Sequence, residues 1–299
     1  MKELIETNRL ILMECAVVER LRRTGKVQLH PSLVNAPLIY DETGRTALRE
    51  IFQEYIDIAR TANAPLLLCT PTWRANRERV AASGVAPQIN ADAVRFMQEL
   101  CGTDSRIQIG GMIGCKNDCY KPDEGLSADE AEAFHAWQIE QLSGAKPDFL
   151  IAETLPCVEE ALGIARAMSA TGVPYVISFV ISRDGRVLDG TPLADAIRQI
   201  DDATERSAVG FMVNCTYPSF LCAQHQPPEL FDRLIGFQAN ASSLDHCDLD
   251  GADQLESEPV STWGDLMMNL HSEFGMKILG GCCGTDGSHM RYLARHSTG

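Results

Sequence analysis

Two adjacent cysteines, Cys282 and Cys283, sit in the run Gly280-Gly-Cys-Cys-Gly-Thr285 near the end of the chain. An apolar pair, Ile278 and Leu279, leads into it. Adjacent side chains of a regular strand point to opposite faces, so two neighbouring thiols could not share one ion there. At a strand's exit the backbone can turn, and Gly280, Gly281 and Gly284 give it that freedom. Both sulfurs could then face one point. A third thiolate would complete a three-cysteine site with one open position, the catalytic form of a zinc site.

Cys215 is the best third candidate. It ends a second apolar run, Val209-Gly-Phe-Met-Val-Asn-Cys215, which Thr216-Tyr-Pro218 breaks. The alternative is that these thiols pack as small buried hydrophobes, the usual place of a lone cysteine. That accounts for Cys215 alone, but core packing does not require glycines around a thiol pair.

Gly280-Gly-Cys-Cys-Gly-Thr285, with Asn214-Cys215 upstream, resembles the homocysteine S-methyltransferase family over nearly the whole chain. The double-cysteine motif is highly specific and the rest of the resemblance is looser. The resemblance implies that Cys215, Cys282 and Cys283 bind Zn2+ and are catalytic. It implies an enzyme that activates the homocysteine thiol and methylates it from a second small molecule to give methionine. Its relatives use betaine or S-methylmethionine, or work within cobalamin-dependent methionine synthase.

Further candidates stand at other strand ends. Glu153, after Phe149-Leu-Ile-Ala152, could hold a substrate ammonium group or be an ordinary acid at a turn. The resemblance favours the first, because a glutamate in a matching Glu-Thr-x-Pro setting contacts the homocysteine amine. Asn214 could bond substrate or orient a metal ligand, or simply bond its own loop. Thr285 could touch substrate or cap a helix. The first strand departs from the family, which has Asp-Gly-Gly there. Here the positions read Met13-Glu-Cys15, and Glu14 is expected to supply the acid from a shifted position. A related thiol or selenol therefore stays open as the acceptor.

The loops give weaker signals. Trp73 and Arg74 follow the second strand, and an aromatic there could hold a cationic donor by cation–π contact; a packed tryptophan is the commoner case. Cys115 and Cys119 are spaced one residue wider than Cys-x-x-Cys and read as free thiols in a loop. Residues 242–260 carry Asp245, Asp248, Asp250, Asp253, Glu256 and Glu258 and read as a lid or a solvated loop. Asp248, Asp250 and Asp253 resemble part of a calcium loop without the rest of it.

These residues need a frame. Apolar runs at Leu10–Cys15, Pro65–Thr70, Ile107–Gly114, Asp148–Thr154, Pro174–Ile181, Val209–Cys215, Ile235–Ala241 and around Ile278 alternate with amphipathic segments. Ser127 and Glu130 form a capping box before a stripe of Ala131, His135, Ile139 and Leu142. Helices are expected near 19–23, 45–62, 91–100, 156–170, 193–203, 229–234 and 262–274, and after the cysteine pair. Alternation of this kind predicts an α/β fold with a parallel sheet. Eight repeats in 299 residues predict a single-domain (β/α)8 TIM barrel over residues 1–299. A doubly wound open sheet is the alternative. Barrel enzymes work at the C-terminal ends of their strands, where Cys215, Glu153 and the cysteine pair would meet.

Composition limits the function. With 26 Lys and Arg against 41 Asp and Glu, the net charge is −15. That argues against a nucleic-acid or anionic-membrane partner, since both need a basic face. No apolar run approaches the ~20 residues of a membrane span. The N-terminus lacks a signal peptide's apolar core, so a soluble cytoplasmic protein is expected. Its eleven cysteines read as thiols and ligands rather than a disulfide framework. No Gly-x-Gly-x-x-Gly fingerprint follows a strand. A methyl donor would then bind in the barrel mouth, and the three thiolates with Zn2+, at a formal charge of about −1, favour a cationic one. Two other readings are a barrel that presents its thiol substrate to a separate corrinoid protein, and one whose Gly280-Gly281 approaches a phosphate.

Overall fold

Eight apolar runs become eight parallel strands that close into one barrel in sequence order. They are β1 Ile11–Met13, β2 Leu66–Cys69, β3 Ile107–Gly114, β4 Phe149–Leu155, β5 Tyr175–Phe179, β6 Gly210–Thr216, β7 Leu234–Ala239 and β8 Ile278–Gly281. β8 returns to β1, with Ile11 opposite Ile278 and Leu12 opposite Leu279. A computed structural model describes residues 1–244 and 257–296. The fold is a TIM barrel, as the alternation predicts, and not an open sheet.

Parallel strands covered on both faces are apolar almost throughout, and these are. Ile11, Met13, Leu67, Phe149, Val176 and Met212 belong to the core inside the barrel. Leu12, Leu66, Leu68 and Leu150 belong to the layer between sheet and helices.

The surrounding helices follow their local signals. α1 is Lys2–Thr7, α2 Val18–Thr24, α3 Glu42–Thr61, α4 Arg77–Ser83 and α5 Ile89–Cys101. α6 is Ala128–Gly144, α7 Val158–Thr171, α8 Leu193–Asp202, α9 Val260–Phe274 and α10 Gly287–His296. Asp41 caps α3, its side chain accepting from the Gly44 amide at 2.7 Å. The Ser127–Glu130 capping box is formed, and Ala131, His135, Ile139 and Leu142 are all buried.

Three differences from the expected elements have local causes. The helix expected at 229–234 is a 3-10 turn, Pro228–Asp232, and β6 is followed by two more, Pro218–Leu221 and Ala223–His225. Pro227 and Pro228 stop the turn from extending backwards, and β7 begins at Leu234, so only five residues are left for it. α4 was not expected, and it starts on Asn76, whose side chain accepts from the Arg79 amide at 3.0 Å. α1 was not expected, and its Leu4 and Ile5 lie against the inner core.

Among the described residues no helix is long and apolar enough to cross a membrane.

Candidate active site

A cavity of about 990 Å³ opens among the loops that follow the strands. That is large enough for an amino acid and a second small molecule. Its lining includes Cys215, Cys282, Cys283, Glu14, Glu153 and Asn214. Of the candidate metal and substrate residues, all but Thr285 thus converge on one mouth.

The thiols meet because two strand ends bend. β6 changes register between Asn214 and Thr216. Cys215 sits between them in the left-handed region, at φ 53°. The bulge turns its sulfur to the same side as the Asn214 amide, so two consecutive residues both reach the cavity. At β8 the two glycines are sterically required. A Cβ on Gly280 would lie 2.8 Å from the Met13 carbonyl and 2.9 Å from that of Glu14. One on Gly281 would run into Thr285 Oγ1 and come within 2.9 Å of Cys15 Sγ. Close seating of β8 against the end of β1 places Cys282 and Cys283 over the mouth.

Cys215 and Cys282 are joined as a disulfide, with their Cα atoms 5.3 Å apart. The sulfurs of Cys215, Cys282 and Cys283 all lie within 4.8 Å of one another. Four ligands at ~2.3 Å around tetrahedral zinc sit roughly 3.8 Å apart. Once the pair is reduced, the three thiols therefore match a three-sulfur metal site, and Cys283 is exposed on its open side. Asn214 braces this corner. Its Oδ1 accepts from the Thr154 amide at 2.9 Å and from Ser178 Oγ at 2.7 Å, and its Nδ2 points at Cys215 Sγ, 3.6 Å away.

The acids lie deeper. Glu14 and Glu153 are 6 % and 7 % exposed. The Cys69 amide donates to Glu14 Oε2 at 2.7 Å, and the Cys69 thiol reaches Glu153 Oε1 at 3.8 Å. Burial raises the Glu153 carboxyl to about 7. Burial also raises Glu14 well above the usual range, and the charge of Glu153 adds to it, against the lowering effect of the Cys69 amide. The Cys69 thiol is raised by the same burial and by both acids, so it stays a neutral donor. Two carboxylates with this little water are stabilised by a cation, and an ammonium group fits that need.

Thr285 does not line the cavity. Its hydroxyl donates to the Cys282 carbonyl at 2.6 Å and accepts from the Ala16 amide at 3.2 Å. It ties the cysteine turn to the end of β1. Nor does it cap α10, where Asp286 accepts from the Ser288 amide at 2.8 Å. Trp73 is not an open cation box either. The Arg74 guanidinium lies 4.0 Å from its ring centre, and its Nε1 donates to Thr154 Oγ1 at 2.6 Å.

Cys115 and Cys119 are buried free thiols, as their spacing suggested. Asp245, Asp248, Asp250, Asp253 and Glu256, with the calcium reading, lie outside the described residues. Glu258 accepts from Ser243 Oγ at 2.6 Å. Two cavity residues carried no sequence signal. Asn240 accepts from the Cys283 amide at 3.1 Å. Gln238 donates to the Glu14 carbonyl at 3.4 Å, and its own buried Oε1 has no partner among the described residues.

The sequence model described as Homocysteine S-methyltransferase matches residues 11–297. The chain belongs to the homocysteine S-methyltransferase family. It is 25% identical to Homocysteine S-methyltransferase YbgG of Bacillus subtilis, over 98% of this chain and 96% of that one. It is 25% identical to the S-methylmethionine–homocysteine S-methyltransferase BHMT2 of Mus musculus, over 83% of this chain and 69% of that one. The homocysteine methyltransferase MmuM of Escherichia coli, in its metallated form, has the same fold. Its TM-score is 0.76 at 20% identity, covering 98% of each chain. This homocysteine S-methyltransferase family enzyme thus carries a three-cysteine cluster that could bind a metal, in a cavity with two buried acids.

Proposed function

We propose that this family enzyme binds Zn2+ through Cys215, Cys282 and Cys283 and methylates homocysteine to methionine from a cationic donor. The observation that carries the reading is the meeting of three sulfurs, mutually within 4.8 Å, with two buried carboxylates in one cavity. A zinc ion held there would deprotonate a coordinating thiol at neutral pH.

The chain's own residues then have separate tasks. Glu153 and Glu14 hold the amino acid by its ammonium group, which offers the charge that two buried carboxylates lack. This points the amino acid's thiol toward the cysteine corner. Asn214 fixes Cys215 through its amide while its Oδ1 is anchored on β4 and β5. In the transfer the substrate thiolate sulfur forms a bond to the donor methyl. The donor's carbon–heteroatom bond breaks, and its electron pair stays on the donor's sulfur or nitrogen. A cationic donor leaves neutral. The negative charge of the thiolate corner stabilises such a donor on approach.

The test is metal content together with methionine formation, on reduced protein supplied with zinc. About one zinc per chain is expected, with turnover from S-methylmethionine or betaine. Cys282→Ala should lose both the metal and the turnover yet stay folded, because the barrel has a large core of its own. Full turnover without bound metal, or in Cys282→Ala, would end the proposal.

A further inference from the structure

On the β2–β3 side of the same cavity, two arginines stand together with no carboxylate at ion-pair distance among the described residues. Arg74 and Arg79 both line the cavity. Arg74 Nη1 donates to the carbonyls of Cys115 and Asn117, and its guanidinium stacks on Trp73. Arg79 donates to the Ser32 carbonyl at 3.1 Å and the Lys116 carbonyl at 3.4 Å. Among the described residues neither has a carboxylate at ion-pair distance, although this chain carries 41 acids against 26 bases. Carbonyl dipoles orient a guanidinium but do not cancel its charge. Arg74 keeps its Nε and Nη2 donors unused among the described residues. Burial, and after it the neighbouring Arg74 charge, hold Arg79 below its ordinary value.

Four main-chain carbonyls, three from the loop after β3 and one from the segment between α2 and α3, hold these side chains in place, so their positions are set before any ligand arrives. An unneutralised pair of guanidinium groups on a cavity wall is suited to a carboxylate, which each fork can bind through two parallel hydrogen bonds. The cysteine corner is close by. Cys282 and Cys283 line the same cavity as Arg74 and Arg79. The acids Glu14 and Glu153 serve the amino acid's ammonium, so the arginines remain for the second substrate.

We infer that Arg74 and Arg79 bind the carboxylate of the methyl donor, which makes the preferred donor a zwitterion with its cationic methyl centre at the cysteine corner. This rests on the reading in the preceding subsection. It also accounts for Trp73, whose ring holds Arg74 in place rather than receiving the donor's cation.

The probes are S-methylmethionine and its carboxyl amide, which differ only in the anionic group. Binding of each to reduced, zinc-supplied protein is measured by calorimetry, with turnover as a second readout. In the wild type the acid should bind at least about tenfold tighter than the amide. In Arg79→Gln and in Arg74→Lys that preference should fall towards one. Homocysteine affinity should be far less affected than the acid donor's. Equal binding of acid and amide to the wild type, or a preference that survives both substitutions, overturns the inference. So does a loss confined to homocysteine, which would give the arginines to the amino acid's own carboxylate. Failure of the parent reading looks different: neither probe turns over, whatever the binding preference.

Discussion

Thr154 on β4 and Cys215 on β6 hold the same conformation, at φ 59° and φ 53°, and one side chain joins them. Each sits in a register shift, between Ala152 and Leu155 on β4 and between Asn214 and Thr216 on β6. Each lets two consecutive residues face the cavity: Glu153 with Thr154, and Asn214 with Cys215. The Thr154 amide donates to Asn214 Oδ1 at 2.9 Å, so the irregularity that aims the acid is bonded to the one that aims the thiol. Non-glycine residues in this region cost on the order of 1–3 kcal/mol each and persist only where their surroundings hold them.

Asn214→Ala should therefore act on both. It leaves the buried Thr154 amide without its acceptor, at about 1–3 kcal/mol of stability. Loss of the brace on Cys215 should weaken zinc binding by roughly 10–100-fold. Chemical denaturation and a zinc-chelator competition read the two effects separately. Unchanged zinc affinity would show that Cys215 needs no brace.

Gly280→Ala should be severely destabilising, by roughly 2 kcal/mol or more, since the new methyl meets backbone atoms of Met13 and Glu14 that cannot move aside. Gly144→Ala is the control. Among the described residues nothing lies within 4 Å of the Cβ position there, and Gly144 ends α6, so little change is expected. Similar unfolding midpoints for the two variants would mean that β8 does not need its close seat on β1.

The acid pair predicts a pH trend. Glu153 is raised to about 7 by burial, so the folded protein binds its proton more tightly than the unfolded chain does. The Glu153 contribution to the stability of the ligand-free protein should fall as pH rises from the ordinary glutamate value to about 7, and level off above it. Glu153→Gln removes the group. Relative to the wild type it should gain on the order of 2–3 kcal/mol between pH 4.5 and pH 8. A pH-independent difference between the two proteins would contradict the effect of burial.

At the other end of the barrel, Leu4 and Ile5 of α1 lie against the inner core. Leu4→Ala with Ile5→Ala should cost about 2 kcal/mol, the low end for partly buried side chains. Zinc content should remain one per chain. A loss of metal at full stability would mean that α1 acts on the mouth.

What the sequence made readable was what local pattern encodes. Strands buried on both faces are runs of Leu, Ile and Val, and a thiol pair between glycines has few structural uses. The rest depended on neighbours distant in sequence. Thr285 is spent on Ala16, 269 residues away, which no local signal announces. Gln238 and Asn240 are polar residues at a strand end like many others, until closure sets them beside Glu14 and Cys283. Trp73 and Arg74 were visible as a pair, but their stacking on each other depended on loop geometry.

The close seat of β8 on β1 also has a temporal consequence. Cys215 and Cys282 are 67 residues apart in the chain, and the second thiol is carried by the strand that shuts the ring. A chain still being synthesised at β7 holds Cys215 but neither of its neighbours in the cluster. A metal could be captured by the full set only after the last strand docks, so occupancy of the three-sulfur site would mark a closed barrel.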